Sequence, residues 1–211
     1  MPNTETPPID PETTSPLGYV AFVTGEITPD LADEVTKQLI IFDLQNKVKG
    51  ERLPITLIIN SPGGSLHAGW QICDVMDFID TPVHTTGLGE IASAALMIFM
   101  NGEPGSRVVT DRTSIMSHRY SWGVAGNHSE LVAAQPEFKN IHQRILKHYV
   151  DCTGLGEESV EANLLKPFDV WLTPEEAIKF GIADEIFKSK KTRNVRKQNA
   201  VAKKAIKAKK D

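Results

Sequence analysis

The chain of 211 residues contains only two cysteines, Cys73 and Cys152. Two thiols are too few for a disulfide framework, so both are expected to be reduced. Cys73 falls in the apolar stripe of a predicted helix and has no base near it in the sequence. It is therefore predicted to be a core residue rather than a nucleophile.

Long apolar runs are also absent. No segment approaches the roughly 20 apolar residues that a membrane-spanning helix needs. The N-terminus lacks the basic and then apolar plan of a signal peptide. These absences predict a soluble, cytoplasmic protein without a membrane partner.

Metal-binding motifs are missing as well. The sequence has no HExxH motif and no closely spaced cysteine pair. His142 and His148 lie six residues apart, which places them on different faces of a helix. We therefore expect neither a metal site nor a cofactor bound by the chain itself.

Charge is distributed unevenly along the chain. Residues 188–211 hold eleven Lys or Arg and one Asp, leaving 12 of the 23 basic and 26 of the 27 acidic residues elsewhere. The tail therefore carries a formal charge of +10, and the rest of the chain carries a formal charge of −14. No aromatic residue interleaves its lysines, so a solvated tail is favoured over nucleic-acid binding or contact with a subunit.

The two ends therefore differ in composition from the middle. Residues 1–18 are rich in Pro and Thr and are predicted to form a disordered leader. Residues 19–187 are long enough for one compact domain, and 188–211 are the basic, disordered tail.

The domain is predicted to alternate strands and helices, as an α/β fold with parallel strands does. A Thr-Pro pair at Thr28 begins one helix, and a capping box at Thr173 begins another. Strands are predicted at 19–23, 55–59, 83–88, 107–110 and 114–117. Helices are predicted after Thr28, around 72–79, at 89–102, at 129–153 with a break or kink near Pro136, and after Thr173.

Ser93, His118 and Asp169 supply the reagents of nucleophilic acyl transfer. A serine hydroxyl needs an imidazole to accept its proton and a carboxylate to orient that imidazole. Their order in the chain differs from that of chymotrypsin, subtilisin and the α/β-hydrolases, which indicates another scaffold. Most such residues in any chain are solvated or structural, so the interpretation depends on their context.

Two features of that context favour a catalytic role. Ser93 is predicted in the first turn of an apolar helix, where free N–H groups stabilise a developing oxyanion. The apolar strand 55–59 ends in Asn60-Ser-Pro-Gly-Gly64, whose paired glycines allow close approach of a ligand. An ordinary strand-to-helix turn is the alternative. The N–H groups of Gly64 and Ala94 are the candidate oxyanion donors.

Four blocks in this order resemble the proteolytic subunits of the Clp protease family: NSPGGSLHAGWQICDVMDFI, GLGEIASAALM, SIMSHRYSWG and FDVWLTPEEAIKFGIADEI. The likeness runs from about residue 19 to 187. It implies a crotonase-like spiral of ββα units with a protruding helical handle. It also assigns Ser93 as nucleophile, His118 as base, Asp169 as orienting acid, and Gly64 and Ala94 as oxyanion donors.

The resemblance further implies partners. Such subunits form stacked heptameric rings, cleave unfolded polypeptides inside the chamber, and receive them from an AAA+ unfoldase that uses the ATP. An extended peptide is then expected to add to a strand edge near residues 120–126.

The chain departs from the family pattern in three places. Ala94-Ala95 replaces Met-Gly after the nucleophile, which keeps the N–H groups. Arg119 to Trp122 replace Gln-Pro after the base, so Trp122 is a candidate for lining the substrate groove. The Pro-rich leader replaces the segment with which the family contacts its unfoldase.

Two other functions stay open at this point. A crotonase-type CoA enzyme would share the paired N–H donors but has no use for a serine nucleophile. A catalytically silent subunit of a mixed ring would keep the fold, although the intact trio of Ser93, His118 and Asp169 argues against silence.

Overall fold

A single sheet organises the part of the chain that the computed structural model describes, residues 18–121, 123 and 125–189. Its strands are β1 (Tyr19–Thr24), β2 (Ile55–Ser61), β3 (Val83–Ala92), β4 (Arg107–Thr110), β5 (Ser114–Ser117), β6 (Val170–Leu172) and β7 (Glu185–Phe187). The helices are α1 (Pro29–Lys49), α2 (Leu66–Phe78), α3 (Ala94–Met100), α4 (His128–Thr153), α5 (Glu157–Asn163) and α6 (Pro174–Lys179). The predicted leader except Gly18, and the predicted tail except Lys188 and Ser189, lie outside the described residues.

Parallel pairing dominates the sheet. The strand order is β1-β2-β3-β4-β7, with β5 beside β3 and β6 beside β5. Among the described strands, only the β5–β6 pair is antiparallel. The α/β class with the crotonase-like architecture that the resemblance implies is therefore confirmed.

Local sequence signals explain where two helices begin. The Thr28 side chain accepts a hydrogen bond from the Leu31 N–H at 3.2 Å, and Pro29 occupies the first helical position of α1. Thr173 and Glu176 form the predicted capping box at the start of α6. Each cap satisfies N–H groups that a helix start otherwise leaves without partners.

The core lies between the sheet and the helices α1, α2 and α3. Alternate residues of β1 are buried, as expected for a strand with one face on the core. All seven residues of α3 are buried, which agrees with its apolar sequence. Burial of this helix fixes the position of the serine that precedes it.

The helix at Ser93 is shorter than predicted. The sequence predicts a helix over 89–102, but residues up to Ala92 extend β3 and the helix begins at Ala94. The reason is tertiary, since Glu90 to Ala92 pair with β5 and Ile91 also pairs with Ser61 of β2. Ser93 is consequently the residue at the junction and not a member of the first helical turn.

Helix α4 runs without interruption from His128 to Thr153, so the expected break near Pro136 is wrong, whereas the alternative of a kink there stays a prediction. Its C-terminal half packs on the chain through Ile141, Ile145, His148 and Tyr149. The half from 128 to 140 is exposed except at Ala134. This projecting half is the handle that the resemblance implies.

The sheet face opposite the helices carries apolar side chains that are only partly covered. Val20, Phe22 and Leu88 are 40%, 46% and 37% exposed. Phe187 lies on the same face, because β7 pairs in register with β4. In the described residues, no helix has the length and apolar character needed to cross a bilayer.

Candidate active site

Three neighbouring strands bring the predicted site residues together. Ser93 directly follows β3, His118 directly follows β5, and Asp169 directly precedes β6. Strand β5 lies between the other two and pairs with both of them. Since β6 runs antiparallel to β5, the end of β5 meets the start of β6 at the same edge of the sheet.

The distances between the three side chains are short. His118 Nε2 lies 2.8 Å from Ser93 Oγ, and His118 Nδ1 lies 3.3 Å from Asp169 Oδ1. The His118 side chain is 20% exposed, whereas that of Asp169 is 56% exposed. An ionised carboxylate can only accept, so the Nδ1 proton faces Asp169 and the Nε2 lone pair faces the serine hydroxyl.

Ser93 has an unusual backbone conformation. Its φ of 55° is the only positive φ of a non-glycine residue in the described chain. The Ser93 N–H donates to the Met116 carbonyl at 3.0 Å, which ties the turn to β5. Although Ser93 is the N-cap of α3, its hydroxyl makes no capping bond and points to His118 instead.

The Gly63-Gly64 turn packs directly against Ser93. Gly63 has a φ of 98°, and a Cβ on it would lie 2.8 Å from the Ser93 Cβ. A Cβ on Gly64 would meet the backbone of Ile27 at 2.4 Å. The turn is held by the Gly63 N–H, which donates to Ser61 Oγ at 3.0 Å. Only glycines allow this close approach of the turn to the serine.

The two candidate oxyanion donors border the same cleft as Ser93 and His118. Ala94 is the first residue of α3, a position whose N–H has no partner within the helix. Among the described residues, neither the Gly64 N–H nor the Ala94 N–H donates to an acceptor of the chain. Both groups are therefore available to a ligand oxygen in the cleft.

Helix α4 forms the far wall of this cleft, which has a volume of about 350 Å³. The apolar lining of the cleft comes from Leu66 of α2, Met97 of α3, and Ile141, Ile145 and Tyr149 of α4. Sequence periodicity indicates an apolar face on α4 but cannot say where that face packs. The structure places it on the chain's own cleft.

Three other nucleophilic or titratable side chains, those of Cys73, Cys152 and His148, lie away from solvent. Burial raises the pKa of the Cys73 thiol well above its usual value and that of Cys152 to about 12. Burial also lowers the pKa of His148, whose Nε2–H donates to the Met97 carbonyl at 3.0 Å. Cys73 is a core residue, as predicted.

His142 and His148 do not converge on a common site. His142 Nε2 lies 3.2 Å from Glu161 Oε1, whereas His148 is buried beside α3. No three His, Cys, Asp or Glu side chains of the described part of the chain are grouped as metal ligands.

The expected strand edge for peptide addition is not formed in the described chain. Residues 120, 121, 123, 125 and 126 belong to no strand. The ladder of β5 with β6 ends at the pair Ser117 and Val170. Trp122, the candidate groove residue, lies outside the described residues.

Two comparisons with known proteins give the same family. The chain matches the family model described as Clp protease over residues 18–190. It is 30% identical over 167 residues to a protein named ATP-dependent Clp protease proteolytic subunit 2 from Thermobifida fusca (strain YX). That alignment covers 79% of this chain and 79% of the relative.

Proposed function

Because this chain belongs to the Clp protease family and is a Clp-type proteolytic subunit, we propose that it is a serine endopeptidase with Ser93 as its nucleophile. The observation that carries the proposal is the position of His118, whose ring nitrogens lie 2.8 Å from Ser93 Oγ and 3.3 Å from Asp169 Oδ1. That arrangement is the one a serine needs to become nucleophilic near neutral pH.

Acylation follows from this geometry. His118 Nε2 accepts the Ser93 proton while Oγ forms a bond to the scissile carbonyl carbon, and the carbonyl oxygen becomes an oxyanion. The protonated imidazole then gives its Nε2 proton to the leaving amine as the C–N bond breaks. Asp169 keeps the imidazole in the required tautomer and stabilises its positive charge. A water activated by His118 hydrolyses the acyl-enzyme in the same way.

The N–H groups of Gly64 and Ala94 are proposed to hold the oxyanion. Preorganised backbone donors in such a site contribute about 3 kcal/mol each to transition-state stabilisation. Ala94 offers the same N–H as any other residue at this position, so its small side chain does not weaken the donor.

The cleft favours peptides with an apolar side chain next to the scissile bond. Its wall of Met97, Ile141 and Ile145 offers no charged partner to a substrate side chain. Burial of an apolar side chain against these residues stabilises the complex by roughly 25 cal/mol per Å². Unfolded polypeptides present such side chains, which folded proteins bury.

We propose that the active form is a homo-oligomer of stacked heptameric rings fed by an AAA+ unfoldase. The half-exposed apolar face formed by Val20, Phe22 and Leu88 supports assembly, because parallel sheets are normally covered on both faces. The exposed half of α4 offers a second contact surface. The unfoldase would carry the ATP, while this chain needs no cofactor for hydrolysis. A cytoplasmic location stays a prediction.

Labelling with a fluorophosphonate probe tests the proposal. The probe should modify Ser93 in the assembled protein, and mass spectrometry of the tryptic peptide should locate the adduct. Ser93→Ala should prevent both labelling and cleavage of a small fluorogenic peptide. The number of subunits in the assembled particle, measured by native mass spectrometry, should stay the same. Ser114→Ala, an exposed serine at the start of β5, is the matched control and should label normally.

Labelling and peptide cleavage, together with an acyl-CoA hydrolysis assay, distinguish the proposed peptidase from a silent subunit and from a crotonase-type enzyme. An assembled particle that neither labels at Ser93 nor cleaves peptides would favour a silent subunit. Hydrolysis of an acyl-CoA that survives Ser93→Ala would favour the crotonase-type enzyme.

A further inference from the structure

Ser117, the residue before His118, has a fully buried side chain that the proposed mechanism does not use. Its hydroxyl lies 2.8 Å from the Leu164 carbonyl and 3.0 Å from the Tyr149 hydroxyl. One serine therefore joins three parts of the chain: β5, the segment after α5, and the C-terminal half of α4.

The direction of the protons in this network can be deduced. The Leu164 carbonyl can only accept, so the Ser117 hydroxyl donates to it. The single Ser117 proton is thereby used, and the Tyr149 hydroxyl must donate to Ser117 Oγ. Burial raises the pKa of Tyr149 to about 12, which keeps this phenol protonated as a donor.

The segment reached by Ser117 is the one that carries Asp169. On the other side of His118, the Arg119 N–H donates to the Lys166 carbonyl at 2.9 Å. His118 thus lies between two residues that are both bonded to the chain between Leu164 and Lys166. Among the described residues, the Asp169 carboxylate has its contact with His118 and no further hydrogen bond or ion pair. Its position depends on this segment.

We propose that Ser117 is a positioning residue that, with Tyr149, sets the separation between the His118 imidazole and the Asp169 carboxylate. The inference rests on the proposed serine peptidase function and adds two residues to it. Without the Ser117 hydroxyl, the segment of Leu164 loses its bond to β5, and the buried Tyr149 hydroxyl loses its acceptor. Both losses act at the residue next to the base.

The test uses Ser117→Ala and Tyr149→Phe in the assembled full chain. Ser117→Ala should lower kcat by about 10- to 100-fold with KM changed by less than about 2-fold, since it misplaces the base without removing cleft contacts. Tyr149→Phe keeps the aromatic ring and the Ser117–Leu164 bond, so its effect should be smaller. The double variant should be no slower than Ser117→Ala, because both substitutions break the same network.

Thr85→Val is the matched control. Thr85 is as buried as Ser117, and its hydroxyl likewise donates to a carbonyl, that of Phe99, at 2.8 Å. Loss of this bond should lower the thermal midpoint to a similar extent and leave kcat unchanged. An equal loss of kcat in Thr85→Val would overturn the inference, because the effect of Ser117→Ala would then be general.

A spectroscopic measurement is independent of turnover. Proton NMR with ¹⁵N-labelled histidine should detect the Nδ1 proton of His118 far downfield when it bonds to Asp169, with His118→Ala to assign it. Ser117→Ala should shift or remove this signal. If the wild type cleaves peptides and Ser117→Ala keeps both kcat and the signal, the positioning role is wrong while the peptidase stands. If Ser93 of the wild type never reacts, the proposed peptidase function is wrong. The NMR signal of the His118 Nδ1 proton in Ser117→Ala then decides by itself whether Ser117 positions His118.

Discussion

His118 lies opposite Asp169 at the first pair of positions beyond the antiparallel ladder of β5 and β6. The last pair of that ladder joins Ser117 to Val170, so the next residues on the two strands face each other. A slip of one residue would turn His118 or Asp169 to the other face of the sheet. Strand register therefore places the two residues opposite each other.

Asp169→Asn should lower kcat by about 10⁴-fold while the fold stays intact. An asparagine amide can donate to Nδ1, which would leave the proton on Nε2 and remove the base that faces Ser93. Steady-state cleavage of a fluorogenic peptide measures the loss. Asp80→Asn removes an exposed carboxylate paired with Lys47 and should keep full activity. Retention of more than a tenth of kcat in Asp169→Asn would exclude the orienting role.

Gly63→Ala should impair both stability and turnover. The new Cβ would lie 2.7 Å from the Ala92 carbonyl oxygen and 2.8 Å from the Ser93 Cβ, so the turn or the serine must move. We expect kcat to fall by about 100-fold and the positive φ to cost about 1–2 kcal/mol. Peptide cleavage and thermal unfolding report the two effects.

Gly50→Ala provides the comparison for that variant. Gly50 also has a positive φ, of 67°, but a Cβ there meets nothing within 4 Å. The backbone strain in Gly50→Ala should lower the free energy of unfolding about as much as in Gly63→Ala, without changing kcat. Equal turnover in Gly63→Ala and Gly50→Ala would contradict the close packing at Ser93.

Asp184→Asn should destabilise the protein at neutral pH by about 3 kcal/mol, because it leaves the buried Arg107 guanidinium without its carboxylate. Burial alone would raise the pKa of Asp184, but its hydrogen bonds with Arg107 outweigh this and lower the pKa. The pair therefore stabilises the fold above the unfolded pKa near 4 and loses that effect as the pH falls through the lower folded value. Urea unfolding should show that the difference in free energy of unfolding between wild type and variant is smaller at pH 3 than at pH 7. A constant gap would argue against the ionised pair.

The free energy of unfolding should fall as the pH drops below about 6.5, in part because of His148. Burial lowers the pKa of this histidine and outweighs the opposing effect of the Met97 carbonyl. At a pH between the two pKa values, His148 is therefore protonated in the unfolded chain and neutral in the folded chain, so the free energy of unfolding falls as the pH drops through this range. His148→Gln keeps a neutral donor and should flatten the dependence of the thermal midpoint between pH 7 and pH 5. A dependence as steep in His148→Gln as in the wild type would contradict this role of the buried imidazole.

Much of this architecture could be predicted from local signals. The Thr28 cap, the capping box at Thr173 and the buried strand at 55–59 depend on neighbours in sequence, and each is found where predicted. The choice of Ser93, His118 and Asp169 needed only their chemistry and the family resemblance. Their convergence needed the pairing of β5 with both neighbours, which no local pattern encodes.

Other features could not be predicted, for the same physical reason. Residues 89–92 have a helical apolar pattern, yet strand partners from β2 and β5 override it. The bond between Ser117 and Tyr149 joins residues 32 positions apart, and only packing of α4 brings them together. Polar pairs of this kind carry no periodic signal in a sequence.

The backbone at Ser93 also restricts which amino acid can serve there. Its φ of 55° and ψ of −122° form a conformation that residues with two heavy atoms on Cβ strongly disfavour. Threonine has the same reactive group as serine but would be strained at this turn, whereas cysteine would fit. The shape of the main chain thus selects the unbranched alcohol before any question of reactivity arises.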